Sequence, residues 1–269
     1  MSKFLYITIY WPLIVLICIF IVAFYFIDII YLILALCNFE ASFIKDTYEG
    51  LPISDNIKRI FISALFSMIY LKYKRNKNGN KIFNSGNIYF DVSNIYLWVA
   101  THILGYKKIS LKFIPVALQF KILIDDFFEE TIPESHPEVN QQVNITYKNV
   151  NTTSDSINFI LSDTYEIKEN MIPESKNDLP TIIIDNYLNA QGQRIYNEKF
   201  IQEIKRIADI YSQDYKKVNI FATTNTMHNK NIVNYCFKNA GRVGFEEIYV
   251  FKQSNKDTFD FDDVGYKVL

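Results

Sequence analysis

Three short polar turns hold the residues whose types could do chemistry: Ser162-Asp163-Thr164, Asp185-Asn186 and Thr223-Thr224-Asn225. Each closes an apolar run: INFIL at 157–161, TIII at 181–184 and VNIFA at 218–222. Small hydroxyl, carboxylate and amide groups in such turns suit recognition by hydrogen bonding. At a helix start they accompany free backbone N–H groups and a positive dipole end, which favour phosphate. Plain helix capping by Thr or Asn is the other reading of each turn taken singly. His228 suits a ligand contact or a general acid–base group. Arg194, Lys230 and Arg242 suit phosphate neutralisation. The candidate ligand-binding set is therefore Ser162, Asp163, Thr164, Asp185, Asn186, Arg194, Thr223, Thr224, Asn225 and His228.

Other chemistries leave no pattern. The three His and three Cys (18, 37 and 236) are scattered, with no metal-ligand spacing and no disulfide framework. No phosphate-binding glycine loop, nucleophile elbow or paired catalytic carboxylates can be identified. The expectation is no metal, no cofactor and no catalytic residue. His102 lies in an apolar stretch and is expected in the core.

The elements that position the turns alternate. VNITYKNV at 143–150 alternates apolar and polar residues as a strand does. The runs at 157–161, 181–184, 218–222 and 247–251 read as further strands. Asn197 is expected to cap a helix over about 198–211, with Phe200, Ile201, Ile204, Ile207, Ala208 and Tyr211 on one face. A second helix is expected over about 228–239, stopped by Gly241. Strand–helix–strand–helix–strand at this spacing implies parallel pairing and an α/β sheet. Such sheets bind ligands at the carboxyl ends of their strands, where all three polar turns would lie. Upstream, 88–104 reads as a strand and then a helix capped by Asp91 or Ser93, with Leu97, Ala100 and Leu104 on one face. Residues 109–125 read as two strands around Pro115, and 129–142 as a loop.

The chain averages conceal two unlike parts. Over 269 residues the net charge is −1, mean hydropathy is +0.02 and 49% of residues are apolar. These values exclude a disordered chain and a strongly basic DNA-binding protein. Residues 4–37, however, contain a single charge, Asp28. A bilayer core takes about 20 apolar residues as helix, so this run is a transmembrane span rather than a signal peptide. Residues 38–56 carry −3 and include Gly50 and Pro52, as a turn does. Residues 57–81 then carry seven positive charges and no acid, around the apolar run 60–71. That run is short. It reads either as a second span over about 58–74 with snorkelling Lys and Arg at its ends, or as an interfacial or buried helix. The basic cluster after Leu71 puts the remainder on the cytoplasmic side of an inner membrane. Two regions follow: a transmembrane hairpin within 1–81 and a cytoplasmic Rossmann-like α/β domain over 82–269, of net charge about −5.

The C-terminal order resembles the SAVED and CARF sensor folds of prokaryotic anti-phage systems. The stretches that carry the resemblance are INFILSDTYEI (157–167), EKFIQEIKRIADIYS (198–212), KKVNIFATTN (216–225), the following helix and EEIYVF (246–251). The small-residue and glycine pattern of those families is missing after the last turn, where MHNKNIVNYC stands. The resemblance implies a sensor of a cyclic oligonucleotide second messenger. It also implies that the ligand drives homo-oligomerisation, which clusters the membrane helices and disrupts the bilayer. Two other readings stay open. One is a membrane-tethered hydrolase using Asp163 or Asp185 with His228. The other is a membrane structural or assembly protein, with the aromatic residues supplying an interface.

Overall fold

The computed structural model describes residues 11–25, 54–77, 79–82, 91–187, 193–238, 244–253 and 259–269. The chain forms two compact units. One groups Met1–Asn84 with Trp98–Lys107, and the other groups Ser85–Leu97 with Lys108–Leu269.

In the first unit, helix α1 (Trp11–Tyr25) packs against helix α2 (Asp55–Lys77). Every residue of α1 is uncharged. The Arg59 guanidinium donates to the Phe24 carbonyl at 3.0 Å, which satisfies an acceptor near the end of α1. Lys74, Arg75 and Lys77 crowd the last turn of α2, where cations complement the negative dipole end. A cavity between the helices is lined only by apolar groups, among them Ile14, Cys18, Val22 and Phe66. Ile17, Val22, Phe61 and Met68 are exposed. Among the described residues no helix is long and apolar enough to cross a membrane. The first expected span, 4–37, is described only over α1, and its remaining residues lie outside the described set, as does most of the turn at 38–56.

The second unit is built on a six-stranded sheet. Its strands are β4 (Asn144–Lys148), β5 (Ser156–Ser162), β6 (Thr181–Asp185), β8 (Lys217–Ala222), β9 (Glu247–Val250) and β10 (Tyr266–Lys267). They lie in the order β10-β9-β8-β5-β6-β4. The four central strands are parallel, and β4 and β10 pair antiparallel at the edges. This is the parallel α/β core expected from the alternating elements. Helix α6 (Glu198–Tyr211) has the expected bounds, and it buries Phe200, Ile201, Ile204, Ile207 and Ala208. Helix α7 (Thr226–Ile232) starts two residues earlier than expected and runs into a π-turn over Val233–Phe237; Gly241 lies outside the described residues.

The pleat divides the core. Phe159, Ile182 and Ile220 align on one face in register. Ile160 and Phe221 align on the other, where Ile167, Ile172, Phe251 and Phe261 cover them. Phe221 stacks on Phe251 with ring centres 4.4 Å apart. β5 is buried along nearly its whole length, as a central parallel strand covered on both faces must be.

Several expectations fail. Residues 116–124 form helix α4 (Val116–Ile124), not a strand. Ala117, Leu118, Phe120, Ile122 and Leu123 are all buried there, and a short run so largely apolar shows no period that distinguishes helix from strand. Pro115 sits at its N-cap position rather than between two strands. His102 is exposed, not in the core: its ring stacks on Trp98 at 5.1 Å, within a π-turn over Val99–Ile103. Leu97, Ala100 and Leu104 are buried as their shared face predicts, and Ser93 Oγ accepts from the Tyr96 N–H at 3.4 Å. The strand expected at 88 lies outside the described residues. The loop at 129–142 contains two short strands, β2 (Glu130–Ile132) and β3 (Glu138–Val139), paired with β1 (Lys108–Ser110) and β7 (Tyr196–Asn197) respectively.

Candidate ligand-binding site

The sheet order sets the site. From β5 the chain moves to β6 on one side, then crosses back to β8 and β9 on the other. Neighbouring strands β5 and β8 therefore send their following segments in opposite directions, and the gap beyond their carboxyl ends is the switch point where open α/β sheets bind ligands. Ser162-Asp163-Thr164 leaves β5 there, and Thr223-Thr224-Asn225 leaves β8. The two turns are tied directly: the Thr164 hydroxyl donates to the Thr223 carbonyl at 2.7 Å, and the Asp163 N–H donates to Thr223 Oγ1 at 3.0 Å.

Behind these turns lies a sealed polar network. Asp163 is 1% exposed and His228 is fully buried. The Asp163 carboxylate accepts from Asn186 Nδ2 at 2.8 Å on one oxygen. On the other it accepts from the Asn225 N–H and Nδ2, both at 3.1 Å, and meets His228 Nδ1 at 2.7 Å. The Asn197 N–H donates to His228 Nε2 at 2.9 Å. A backbone N–H can only donate, so Nε2 is the unprotonated nitrogen and Nδ1 carries the proton given to Asp163. Asn197 stands at the N-cap position of α6 but, contrary to expectation, its side chain does not cap the helix. Its amide reaches instead to Asn186 Oδ1 at 2.8 Å and to the Gln141 carbonyl at 2.9 Å.

Asn225 explains why the start of α7 is closed to phosphate from within. Its Oδ1 accepts from the Met227 and His228 N–H groups at 3.0 and 2.9 Å, the bonds of an N-cap. Thr224 Oγ1 bonds to Asn229 Oδ1, and Asn229 in turn donates to Gln119 of α4 at 2.9 Å. The structure thus brings Asp163, Asn186, Asn225 and His228 into one cluster, with Thr223 and Thr224 beside it.

In front of the network opens a cleft of about 220 Å³. Thr164, Arg194 and Thr223–Asn225 line it, together with Lys112, Gln119, Glu134, Tyr165 and Gln253. Glu134 sits between the two cations. Its oxygens lie 2.8 Å from Lys112 Nζ and 3.0 Å from Arg194 Nη1. Burial raises the Glu134 carboxyl, yet the Lys112 hydrogen bond and charge, followed by Arg194, outweigh it and hold it below the usual carboxylate range. The Glu134 N–H donates to Thr226 Oγ1 at 2.8 Å, which fastens its backbone to the start of α7.

Ser162 and Asp185 lie elsewhere. They line a second cleft, of about 310 Å³, on the Asn158–Ile160 face of the sheet with Lys148, Lys168 and Lys176. Ser162 Oγ accepts from the Ile167 N–H at 3.1 Å, and Asp185 Oδ1 from the Tyr187 N–H at 2.8 Å. Lys230 donates to the Thr131 carbonyl at 2.9 Å, and Arg242 lies outside the described residues. Among the described residues, no group of three or more His, Cys, Asp and Glu is placed to hold a metal ion.

Sequence reasoning missed Lys112, Glu134, Asn197 and Asn229. Glu134 and Arg194 stand 60 residues apart, in segments with no apolar period, and the β3–β7 pairing brings those segments together.

The profile of the SMODS- and Ubiquitin system-associated 2TM effector domain, SUa-2TM, matches residues 2–269. The chain belongs to this family. SUa-2TM is by its description a two-transmembrane effector domain, and that name agrees with the apolar N-terminal run and the basic cluster after it. No curated protein matches this SUa-2TM chain in sequence. Two solved structures of the Acinetobacter baumannii Cap4 SAVED/CARF-domain containing receptor are similar to it, one with the cyclic trinucleotide 2′3′3′-cAAA and one with 3′3′3′-cAAA. Their TM-scores are 0.46 and 0.48, each at 9% identity over 79% of this chain. The chain spans 58% and 59% of those receptor chains.

Proposed function

We propose that this SUa-2TM chain is a membrane-anchored anti-phage effector whose α/β unit binds a cyclic oligonucleotide, oligomerises on binding and disrupts the inner membrane. The observation that carries the proposal is the cleft at the β5–β8 switch point, with Lys112 and Arg194 at its mouth and hydroxyl and amide turns as its floor. Cations there suit the phosphodiesters of a cyclic oligonucleotide, and Thr164 and Gln253 suit base or ribose edges. Within the predicted set, Asp163, Asn186, Asn225 and His228 act by holding the turns in place, and Thr164, Thr223, Thr224 and Arg194 face the ligand. The volume of about 220 Å³ is below the 300–1,000 Å³ usual for a whole small-molecule ligand. One nucleotide unit enters the cleft, and the rest of the ring meets a second copy of the chain, which couples binding to oligomerisation.

The membrane half of the proposal rests on the uncharged run 4–37, the apolar exposed side of α1 and the basic end of α2. A reporter fused at residue 47 is expected outside the inner membrane and one at the C-terminus inside; both on one side would rule out the hairpin. For the ligand, thermal shift of the full chain in detergent is measured against a panel of cyclic di- and trinucleotides. A shift with one member, lost in Lys112→Ala and Arg194→Ala, supports the sensor. No shift with any of them sinks it. Turnover of the same panel would instead favour a membrane-tethered hydrolase, although Asp163 and His228 are both sealed from solvent.

A further inference from the structure

We infer that Glu134 is an internal stand-in for a ligand phosphate, and that an anion entering the switch-point cleft must displace it from Lys112 and Arg194. The inference deepens the sensor reading and rests on it for the ligand class only. Three observations carry it. First, the carboxylate bridges the two cations with separate oxygens, Oε1 to Lys112 and Oε2 to Arg194, as two oxygens of one phosphate would. Second, the acid is set deeper than its partners: its side chain is 21% exposed, against 49% for Lys112 and 60% for Arg194. The cations therefore present an outer side to solvent while their inner side is occupied from within the protein. Third, the carboxylate is replaceable without unfolding its segment. The Glu134 backbone is held by the bond from its N–H to Thr226 Oγ1, and this bond does not involve the carboxylate. Ion pairs as exposed as these are weak in water, so a phosphate with more charge competes well for the same donors.

Displacement has a direction. Glu134 precedes β3 by a few residues, and β3 pairs with β7, whose Asn197 N–H is the donor to His228 Nε2. A released Glu134 side chain leaves its backbone held at Thr226 Oγ1, between β2 and β3. The cleft thus reads an anion by exchanging an internal carboxylate for an external phosphate, and empty cations never stand open to cellular polyphosphates. That arrangement selects against weak, singly charged anions, which cannot repay the loss of both ion pairs.

The test compares the full chain with Glu134→Gln, which keeps the shape and removes the charge. Inorganic pyrophosphate is the probe of the cation pair, and 3′3′3′-cAAA is the probe of the nucleotide reading, both by calorimetric titration. Glu134→Gln is expected to bind pyrophosphate roughly tenfold more tightly than the unmodified chain. That gain should vanish in Glu134→Gln/Lys112→Ala and in Glu134→Gln/Arg194→Ala. Glu134→Ala, checked by its melting temperature, serves as the second variant if the Gln form is unstable. Equal or weaker pyrophosphate binding in both variants overturns the inference, as does a gain that survives loss of either cation. If neither protein binds 3′3′3′-cAAA but the pyrophosphate gain appears, the stand-in role holds and this nucleotide fails. If 3′3′3′-cAAA binds and Glu134→Gln brings no gain with either probe, the nucleotide reading holds and the stand-in role fails.

Discussion

Asp163 Oδ2 and His228 Nδ1 lie 2.7 Å apart across 65 residues of chain, and neither side chain reaches solvent. The pair joins the turn after β5 to helix α7, the element that follows β8. Around it, Asn186, Asn197 and Asn225 supply further bonds, so the carboxylate has a donor for each oxygen. Buried polar groups are tolerable only when so paired, and the loss of one partner leaves the others desolvated and unsatisfied.

Replacing Asp163 by Ala removes at once an acceptor shared by Asn186 Nδ2, the Asn225 N–H and Nδ2, and His228 Nδ1. The expected cost is about 3–5 kcal/mol, since several buried donors lose an acceptor at about 1–3 kcal/mol each. Urea denaturation of the α/β unit, followed by tryptophan-independent circular dichroism, measures it. A loss below about 1 kcal/mol, the scale of an ordinary exposed contact, would show that the network does not hold the two turns together.

Asn225→Ala removes the cap of α7, worth about 1 kcal/mol alone. It also cuts the amide bonds to Asp163 Oδ2 and to the Ile195 carbonyl, the latter 2.7 Å long. The total loss should exceed that of Asn225→Asp, which keeps the capping oxygen but places a second carboxylate beside Asp163. If Asn225→Asp is the milder change, repulsion at the site is small and the cap dominates; if the harsher, the amide donors dominate. The expected order is therefore that both are destabilising and Asn225→Ala is the harsher, as the midpoints of urea denaturation of the two variants would show.

The legible parts of this fold are those where one period dominates. Helix α6 shows Phe200, Ile204 and Ile207 at helical spacing with charged residues opposite, and its bounds follow from that stripe. Strands β5, β6 and β8 show as short apolar runs that end in polar turns, whereas the strand order that makes β5–β8 the switch point has no sequence signal. Helix α4 was illegible because a short, largely apolar and largely buried run carries little amphipathic signal. The cleft was half legible. Thr164, Arg194 and Thr223–Asn225 stand out by type and position, whereas Lys112 and Glu134 belong to segments without periodicity and meet only in the tertiary fold. The capping role of Asn225 was open from sequence, since a Thr-Thr-Asn turn serves phosphate binding and capping with the same atoms. Its bonds to Met227 and His228 decide for capping.

Cys236 lies under helix α6, with its thiol 3.9 Å from the Ile201 carbonyl. Burial, followed by the nearby Asp209 charge, pushes the thiol up from 9.0 to about 12. At pH 8 the thiolate is then about one part in ten thousand. Iodoacetamide should leave Cys236 unmodified in the folded chain and label it in urea, as peptide mass spectrometry would show. The folded state holds this proton more tightly than the unfolded state does, so the associated stability is complete below about pH 9 and is lost as pH rises toward 12. Labelling at equal rates in folded and unfolded protein would contradict the burial.

Glu247 of β9 bridges the sheet edge, with Lys217 of β8 at 3.0 Å and Lys267 of β10 at 2.6 Å. Hydrogen bonds from Lys267 first and Lys217 second lower its carboxyl from 4.5 to about 2. A carboxylate depressed in the folded state contributes stability above its unfolded value and loses it as pH falls, so the window here runs from about 4.5 down to about 2. The carboxylate is solvent-facing and screened by salt, so the effect is local rather than global. β10 is only two residues long and pairs with β9 alone in the sheet order, so it is the element that loosens. Amide exchange at Tyr266, Lys267 and Val268, corrected for the intrinsic pH dependence, should be faster at pH 3 than at pH 6. In Glu247→Gln the same amides should be loosened at both pH values, with the difference between them gone. Unchanged protection across this range, with the bridge intact at pH 6, would mean that backbone pairing alone retains the strand.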